Sequence, residues 1–288
     1  MYLDLLVSAN TGRNTPQALS DWTVLIPFFN ERDYLAATIA SIAAQTIAPR
    51  LILIDNGSTD GSADVARDAC RQHGIDFELI IERMPGKVAA LGAAVTRVRS
   101  PYLATCDADT LYPPHYLATA QRVLEQPGCA IAGAYFAAPN ASEGERITKA
   151  RSTLAAAWLL PRQCHTGGAG QAFNTELLQA AGGFDPRRWS FVLEDHEVIH
   201  RVMTRGSMRY SRELWCIPSL RDRDRDSIRW TAFERLIYSV TAPWAGDWFF
   251  YSFLARRLRQ RRLFSDRVRE RQFQTLEGPA RATSHSLL

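Results

Sequence analysis

The chain has 288 residues, 46% of them hydrophobic and 22% charged, with a formal net charge of +4. That composition excludes a disordered chain and leaves room for one large domain or two small ones. The five cysteines (70, 106, 129, 164 and 216) are odd in number and form no C-x-x-C, which argues against a disulfide framework and a structural zinc site; buried free thiols are expected instead. The opening "MYLDLLVSANTGRN" lacks a basic n-region, so no secretory leader is expected. In the first half, strand and helix signals alternate. "WTVLIPFF" (22–29) is an apolar, β-branched run, followed by a helix in which Leu35, Ile39 and Ile42 share a face. "RLILIDNGSTDGS" is a second buried strand that stops in polar turn residues, and the helix after it ends at Gly74. "DFELIIER" is a third strand and "GKVAALGAAVTRV" a third helix. "PYLATCDADT" is a fourth strand, and Pro113-Pro114 is expected to open a fourth helix. Beyond residue 128, "CAIAGAYF" reads as a strand and "EGERITKARSTLAAAWLL" as a helix. A Gly-rich "HTGGAGQAF" follows, then a helix with Glu194-Asp195 in its first turn and Val198 and Val202 on one face.

Alternating continuous apolar strands and helices imply a mostly parallel sheet covered on both faces. Ligands of such sheets sit at the carboxyl ends of the strands. Asn30-Glu31, Asp55-Asn56 and Asp107-Ala108-Asp109 all fall there. Two carboxylates one residue apart at a strand end can turn toward one ligand, and oxygen donors suit magnesium or manganese on a diphosphate. Each cluster also has a plainer reading. Asn30-Glu31 could be a helix cap, "NGSTDGS" an ordinary turn, D-A-D a polar exit from the sheet, and Asp195 a helix N-terminal charge. His165, His196 and His200 match no ligand motif and are expected to be structural.

Taken in order, Pro27, Asn30-Glu31, Asp55-Asn56-Gly57-Ser58-Thr59-Asp60, Gly86-Lys87, Asp107-Ala108-Asp109 and Glu194-Asp195 resemble the family 2 glycosyltransferases over about residues 22–205. The resemblance implies an α/β GT-A fold: a Rossmann-like, mixed, mostly parallel sheet flanked by helices, here with a C-terminal helical extension. It implies that Pro27, Phe28, Asn30 and Glu31 line a nucleoside pocket and that Asp55, Asn56 and Gly57 contact base or ribose. Asp107 and Ala108 would meet ribose or diphosphate, with Asp109 and Asp107 holding Mn2+ or Mg2+. Lys87 would contact phosphate or sugar. Asp195 would be the catalytic base beside Glu194, kept ionised by the helix N-terminus. Gly168 and Gly170 would form a wall of the acceptor or sugar pocket, with Trp230 near it. The implied reaction is inverting transfer of a sugar from a nucleotide sugar, uridine being the commoner family choice, to a hydroxyl.

Three positions depart from the family pattern. Asn56 stands where Asp is common, and Leu91-Gly92 where Leu-Asn is frequent. Of the Q-x-x-R-W of processive synthases only Arg229-Trp230 remains, so transfer of a single sugar is expected.

The expected division is an N-terminal segment 1–20, a catalytic domain 21–220 with a nucleotide half (21–127) and an acceptor half (128–220), and an extension 221–288. In the extension, "RDRDRD" is read as a solvated loop or ion-pair ladder. The best candidate for a membrane span, Leu236 to Ala255, is broken by Pro243, Gly246 and Asp247. Trp244, Trp248, Phe249, Phe250, Tyr251 and Phe253, followed by Arg256, Arg257, Arg259, Arg261 and Arg262, lead us to expect a membrane-surface helix pair through 236–262. With it comes a lipid-linked acceptor or cell-envelope precursor, and a cytoplasmic enzyme peripheral to the membrane. No nucleic-acid partner is expected. Competing readings are a polyprenyl-phosphate sugar transferase, whose acceptor needs no base; a sugar nucleotidyltransferase, which "IPFFNERD" does not fit; and a non-catalytic nucleotide-sugar-binding module.

Overall fold

The computed structural model describes residues 20–219 and 230–267. The N-terminal segment up to 19 and the "RDRDRD" run lie outside the described residues. The first half alternates as the sequence predicts: β1 (Trp22–Phe28), α1 (Arg32–Ala43), β2 (Arg50–Asp55), α2 (Ser62–Gln72), β3 (Phe77–Ile81), α3 (Lys87–Val95) and β4 (Tyr102–Thr105). There follow β5 (Thr110–Leu111), α4 (Tyr116–Leu124), β6 (Cys129–Phe136), α5 (Glu143–Leu159), β7 (Gln171–Asn174), α6 (Thr175–Ala180), α7 (Glu194–Val202) and β8 (Ser207–Pro218). The extension holds α8 (Ala232–Thr241), a π-helical segment (Trp248–Leu254) and α9 (Ala255–Gln260). Pro113 and Pro114 precede α4 rather than forming its first turn, which begins after His115.

Among the described residues the sheet order is β3-β2-β1-β4-β7-β6-β8-β5. The pairs β3·β2, β2·β1 and β1·β4 are parallel. β7 then runs antiparallel between β4 and β6, and β8 lies parallel to β6. Strand alternation divides the core between the two faces. Trp22, Val24, Ile26 and Phe28 of β1 join Leu35, Ile39 and Ile42 of α1, whereas Leu25 joins Val88, Leu91 and Ala94 of α3. Both sides being covered, the strands read as continuous apolar runs. All five cysteines are free and buried.

Three strands escape the sequence reading: the two-residue β5, which pairs with β8, and β7 and β8 themselves. β7 is four residues hidden behind the Gly-rich loop, and β8 carries Arg209, Arg212 and Glu213 amid its buried Met208, Leu214 and Cys216. β8 also pairs with β6 through register shifts, which blur its alternation.

Gly92 has a packing explanation. A Cβ there would stand 2.6 Å from the carbonyl oxygen of Phe184, so α3 rests directly on the 182–186 loop. Overpacking of this kind costs about 1–3 kcal/mol. Gly92→Ala is therefore expected to lower the unfolding free energy by that amount in a denaturant titration; an unchanged midpoint would show that the loop yields freely.

The extension packs on the sheet-bearing part of the chain. Trp189, Phe191 and Val192 form a third core with Tyr238, Phe249, Phe250, Leu254, Leu258 and Leu263. Tyr251 donates to Glu197 of α7 at 2.6 Å, and His200 meets Asp247 at 2.8 Å. This corrects the expected membrane-surface helix pair through 236–262 in part: its phenylalanines turn inward, while Leu236, Val240 and Trp244 stay exposed. Phe249 and Phe250 are fully buried. Arg257 and Arg261 point at the buried carboxylate of Glu234, at 2.8 and 3.1 Å. Among the described residues no helix is long and apolar enough to cross a membrane.

Candidate active site

The carboxyl ends of β2, β1 and β4 lie side by side, and the chain segments leaving them surround a cavity of about 370 Å³. Pro27, Phe28, Glu31, Asn56, Lys87, Asp107, Ala108, Asp109, Gly168, Glu194 and Asp195 all line it. Residues from six places in the sequence thus converge on one volume. Phe29, Ala90, Val192, Leu193 and Ser265 line it too and were not foreseen.

Asn30, Asp55, Gly57 and Gly170, also predicted, stand behind this wall rather than in it. Asn30, at φ +54°, accepts from Thr59 N at 2.8 Å while its own N–H donates to Ser58. Asp55 accepts from Ser58 N at 2.8 Å, an Asx-type turn that also positions Gly57. These contacts stitch the first and second strand ends together. Asn56 donates to the carbonyls of Glu82 and Met84 and accepts from Gly86 N, so its amide holds the loop that presents Lys87. An aspartate in its place could not donate to those carbonyls. Gly170 sits beneath the wall against Ala134, and Trp230 lines a different cavity.

The D-A-D segment is held from both sides. Asp107 N donates to the Tyr112 hydroxyl, which in turn donates to the carbonyl of Ala169. Thr105 Oγ1 donates to the Gly168 carbonyl at 3.0 Å. The glycine loop and the acidic loop are thereby fixed to each other. Asp109 accepts from Ser219 Oγ at 2.9 Å, and Asp107 accepts from Lys87 Nζ at 2.5 Å. Gly168 is packed so closely that a Cβ would meet Lys87 Nζ at 3.2 Å and Asp195 Cβ at 3.4 Å.

Charge in the cavity is unbalanced. One lysine faces Asp107, Glu194 and Asp195. Those carboxylates keep the Lys87 ammonium charged against the penalty of burial. Burial pushes the Glu194 carboxyl up to about 7, with the charge of Asp195 adding to the shift and Lys87 opposing it. Burial likewise pushes Asp195 up to about 6 against the pull of Lys87. The carboxyl thus titrates higher than a helix N-terminus alone would place it, because burial is the largest influence on it. The group is still mostly ionised at neutral pH. Among the described residues no three metal-ligating side chains cluster. Two carboxylates beside a surplus of negative charge fit a hard divalent cation whose other ligands are diphosphate oxygens and water.

A second cavity, of about 650 Å³, opens between α5 and α8. Phe136, Lys149, His165, Gly167, His196, Trp230, Arg235 and Tyr238 line it. Its partition from the first is the Gly167-Gly168 pair: a Cβ on either would lie 3.9 or 3.8 Å from Asp195 Oδ2. Asp195 thus stands where the two volumes approach each other. Beside it, burial pushes the His196 imidazole down to about 3, so the ring is neutral, and it packs edge-on against Trp230.

Comparison with known proteins gives this arrangement a context. The family model for glycosyl transferase family 2 matches residues 23–181. A succinoglycan biosynthesis protein, ExoU, of Rhizobium meliloti is 34% identical over 114 residues, 40% of this chain and 32% of the relative. A dodecaprenyl-phosphate galacturonate synthase of Rhizobium johnstonii is 28% identical over 120 residues, 40% of this chain and 36% of the relative. The matched segment is thus about a third of the length of these curated relatives. Among solved structures, the mannosyltransferase PcManGT of Pyrobaculum calidifontis, in complex with GDP-Man and Mn2+, superposes with a TM-score of 0.65 at 19% identity, covering 82% of this chain and 72% of that one. TarS 1-349 of S. aureus in complex with UDP-GlcNAc gives 0.54 at 13% identity, over 76% and 64%. At these identities the likeness speaks for the GT-A fold alone. Glu194, Asp195 and Trp230 lie beyond the matched family segment.

Proposed function

The chain belongs to glycosyl transferase family 2, and we propose that it is a metal-dependent, inverting enzyme that moves one sugar from a nucleotide-diphosphate sugar, UDP-linked in the first instance, to an acceptor hydroxyl. The observation that carries this reading is the placement of Asp195 at the partition between the cavity lined by Asp107 and Asp109 and a second cavity open to solvent. The donor occupies the first cavity, with Phe28, Phe29 and Glu31 against the nucleoside and Lys87 toward phosphate or sugar. The acceptor occupies the second, against Trp230 and the neutral His196. Asp195 takes the acceptor's proton as the hydroxyl oxygen attacks the anomeric carbon from the face opposite the diphosphate, which inverts that carbon. Bound at Asp107 and Asp109, Mn2+ or Mg2+ would neutralise charge on the departing diphosphate. Support for metal use comes from the mannosyltransferase neighbour, which was solved in complex with both GDP-Man and Mn2+.

The second reading is transfer to a polyprenyl phosphate, which the names of two relatives favour: the galacturonate synthase above and an undecaprenyl-phosphate 4-deoxy-4-formamido-L-arabinose transferase of Serratia proteamaculans. Lys149 and Arg235 in the second cavity would suit an anionic acceptor, but its reacting phosphate would have to approach the carboxylate surplus around Asp195, so the hydroxyl acceptor is preferred. A lipid-linked saccharide satisfies both the charge and the relatives.

Calorimetric titration with UDP tests the donor site. Binding is expected to tighten about tenfold or more when manganese is added. Asp109→Ala is expected to remove that gain and leave the weak metal-free binding. If UDP, GDP and other nucleotides all fail to bind the wild type with manganese present, the reading is wrong.

A further inference from the structure

Two segments border the second cavity and share an unusual surface. Residues 149–163 include Lys149, Arg151 and Arg162 and no acidic residue. Residues 230–246 include Arg235 and a single carboxylate, Glu234, which is fully buried beneath Arg257 and Arg261. The exposed ionic groups within both segments are therefore cationic, and the exposed carboxylate that follows, Asp247, is engaged by His200 at 2.8 Å. Their exposed apolar side chains are large: Trp158 is 83% exposed, Leu159 68%, Leu236 60%, Val240 54% and Trp244 75%. Phe233, Leu236 and Val240 recur at helical spacing on the side of α8 opposite its buried Glu234 and Tyr238, and Trp244 follows in the turn after the helix. The two segments touch, since Gln163 and Cys164 both bond to Tyr238.

We propose that the end of α5 and the outer face of α8 form a docking surface for an anionic lipid bilayer, which seats the mouth of the second cavity on the membrane. Tryptophans flanked by arginines are what a bilayer interface accommodates, and each basic residue near an anionic surface strengthens binding by about fivefold. Charge selects this occupant over a second copy of the chain. A two-fold contact sets the same patch against itself, and this patch would bring cations against cations. The surface keeps Leu236, Val240 and Trp244 of the segment the sequence pointed to, adds Trp158, and leaves out the phenylalanines of the third core and the arginines held by Glu234. That the acceptor then enters from the bilayer rests on the transferase reading; the docking itself does not.

The test is co-sedimentation of the full chain with phosphatidylcholine vesicles, with and without phosphatidylglycerol. The wild type is expected to pellet with the anionic vesicles, more weakly at high salt. Trp244→Glu and Val240→Glu, and separately Trp158→Glu, are each expected to weaken binding by about tenfold or more. UDP binding and the melting temperature are expected to match the wild type, because these side chains are exposed and lie outside both cavities. The proposal is overturned if the wild type ignores both vesicle types, if the glutamate variants pellet undiminished, or if the wild type is a dimer that Trp244→Glu splits into monomers. Vesicle binding that follows this pattern, with no nucleotide bound in any form, would uphold the docking surface and remove the transferase reading.

Discussion

Asp195→Asn is expected to lower turnover by ~10²–10⁴-fold, the usual worth of a positioned general base, while UDP affinity with manganese changes little. The substitution keeps shape and removes the acceptor of the hydroxyl proton at the partition between the cavities. Wild-type turnover is expected to fall as pH drops through about 6, where the buried carboxyl takes up a proton, and the variant's residual rate is expected to lack that limb. Stability should move the other way. The folded carboxyl titrates above its ordinary value of 3.8, so its share of folding stability is fully present below that value and is lost as pH rises through about 6. Thermal melts of metal-free protein at neutral pH should therefore find the variant as stable as the wild type or more so, with the difference closing in acid. A variant that keeps full turnover would put the base elsewhere, or would point to an acceptor phosphate that needs none.

Arg201→Met is expected to cost about 3–5 kcal/mol of unfolding free energy, the range for breaking a buried pair from one side. The guanidinium donates to both carboxylate oxygens of Glu197, at 2.7 and 2.9 Å, and to the carbonyls of Ala181 and Gly183. Both side chains are nearly inaccessible, 8% and 2% exposed. Without the arginine, Glu197 is left charged in the core with only the Tyr251 hydroxyl, and two carbonyls after α6 lose their donor. Denaturant unfolding of Arg201→Met, Glu197→Leu and the double variant measures the coupling. The double variant should recover part of the loss, since the stranded charge is gone. A single-variant cost under about 1 kcal/mol would mean that water reaches this pair.

What could be read in advance follows from range. The strands β1, β2 and β4 announce themselves because both faces are covered, and their polar ends could be placed on one edge by topology alone. The motif residues were visible, but spacing could not divide those that face the cavity from those that brace it. Glu31 and Asp109 line the cavity, whereas Asn30 and Asp55 are turned into the turn at Ser58 and Thr59. The second cavity could not be foreseen, because it depends on α5 meeting α8 across a long stretch of chain. The aromatics of 244–253 defeated local reading for a related reason. Composition marks them as apolar, and only the partner surface at Trp189 and Phe191 decides that Phe249 and Phe250 turn inward while Trp244 remains outside.

The segment after α9 returns across the first cavity: Ser265 N donates to the Ser190 carbonyl, Phe264 bridges to Phe191, and Ser265 lies 3.0 Å from where a side chain on Gly86 would begin. During synthesis the pocket is therefore finished late. The residues of its floor leave the ribosome first and can form their sheet, but one wall waits for residue 265 to emerge. Until then the cavity is an open trough. The nascent chain must reach its parallel core with this cavity unfinished, and on the proposed function any stabilisation by bound nucleotide would come only after translation has passed the extension.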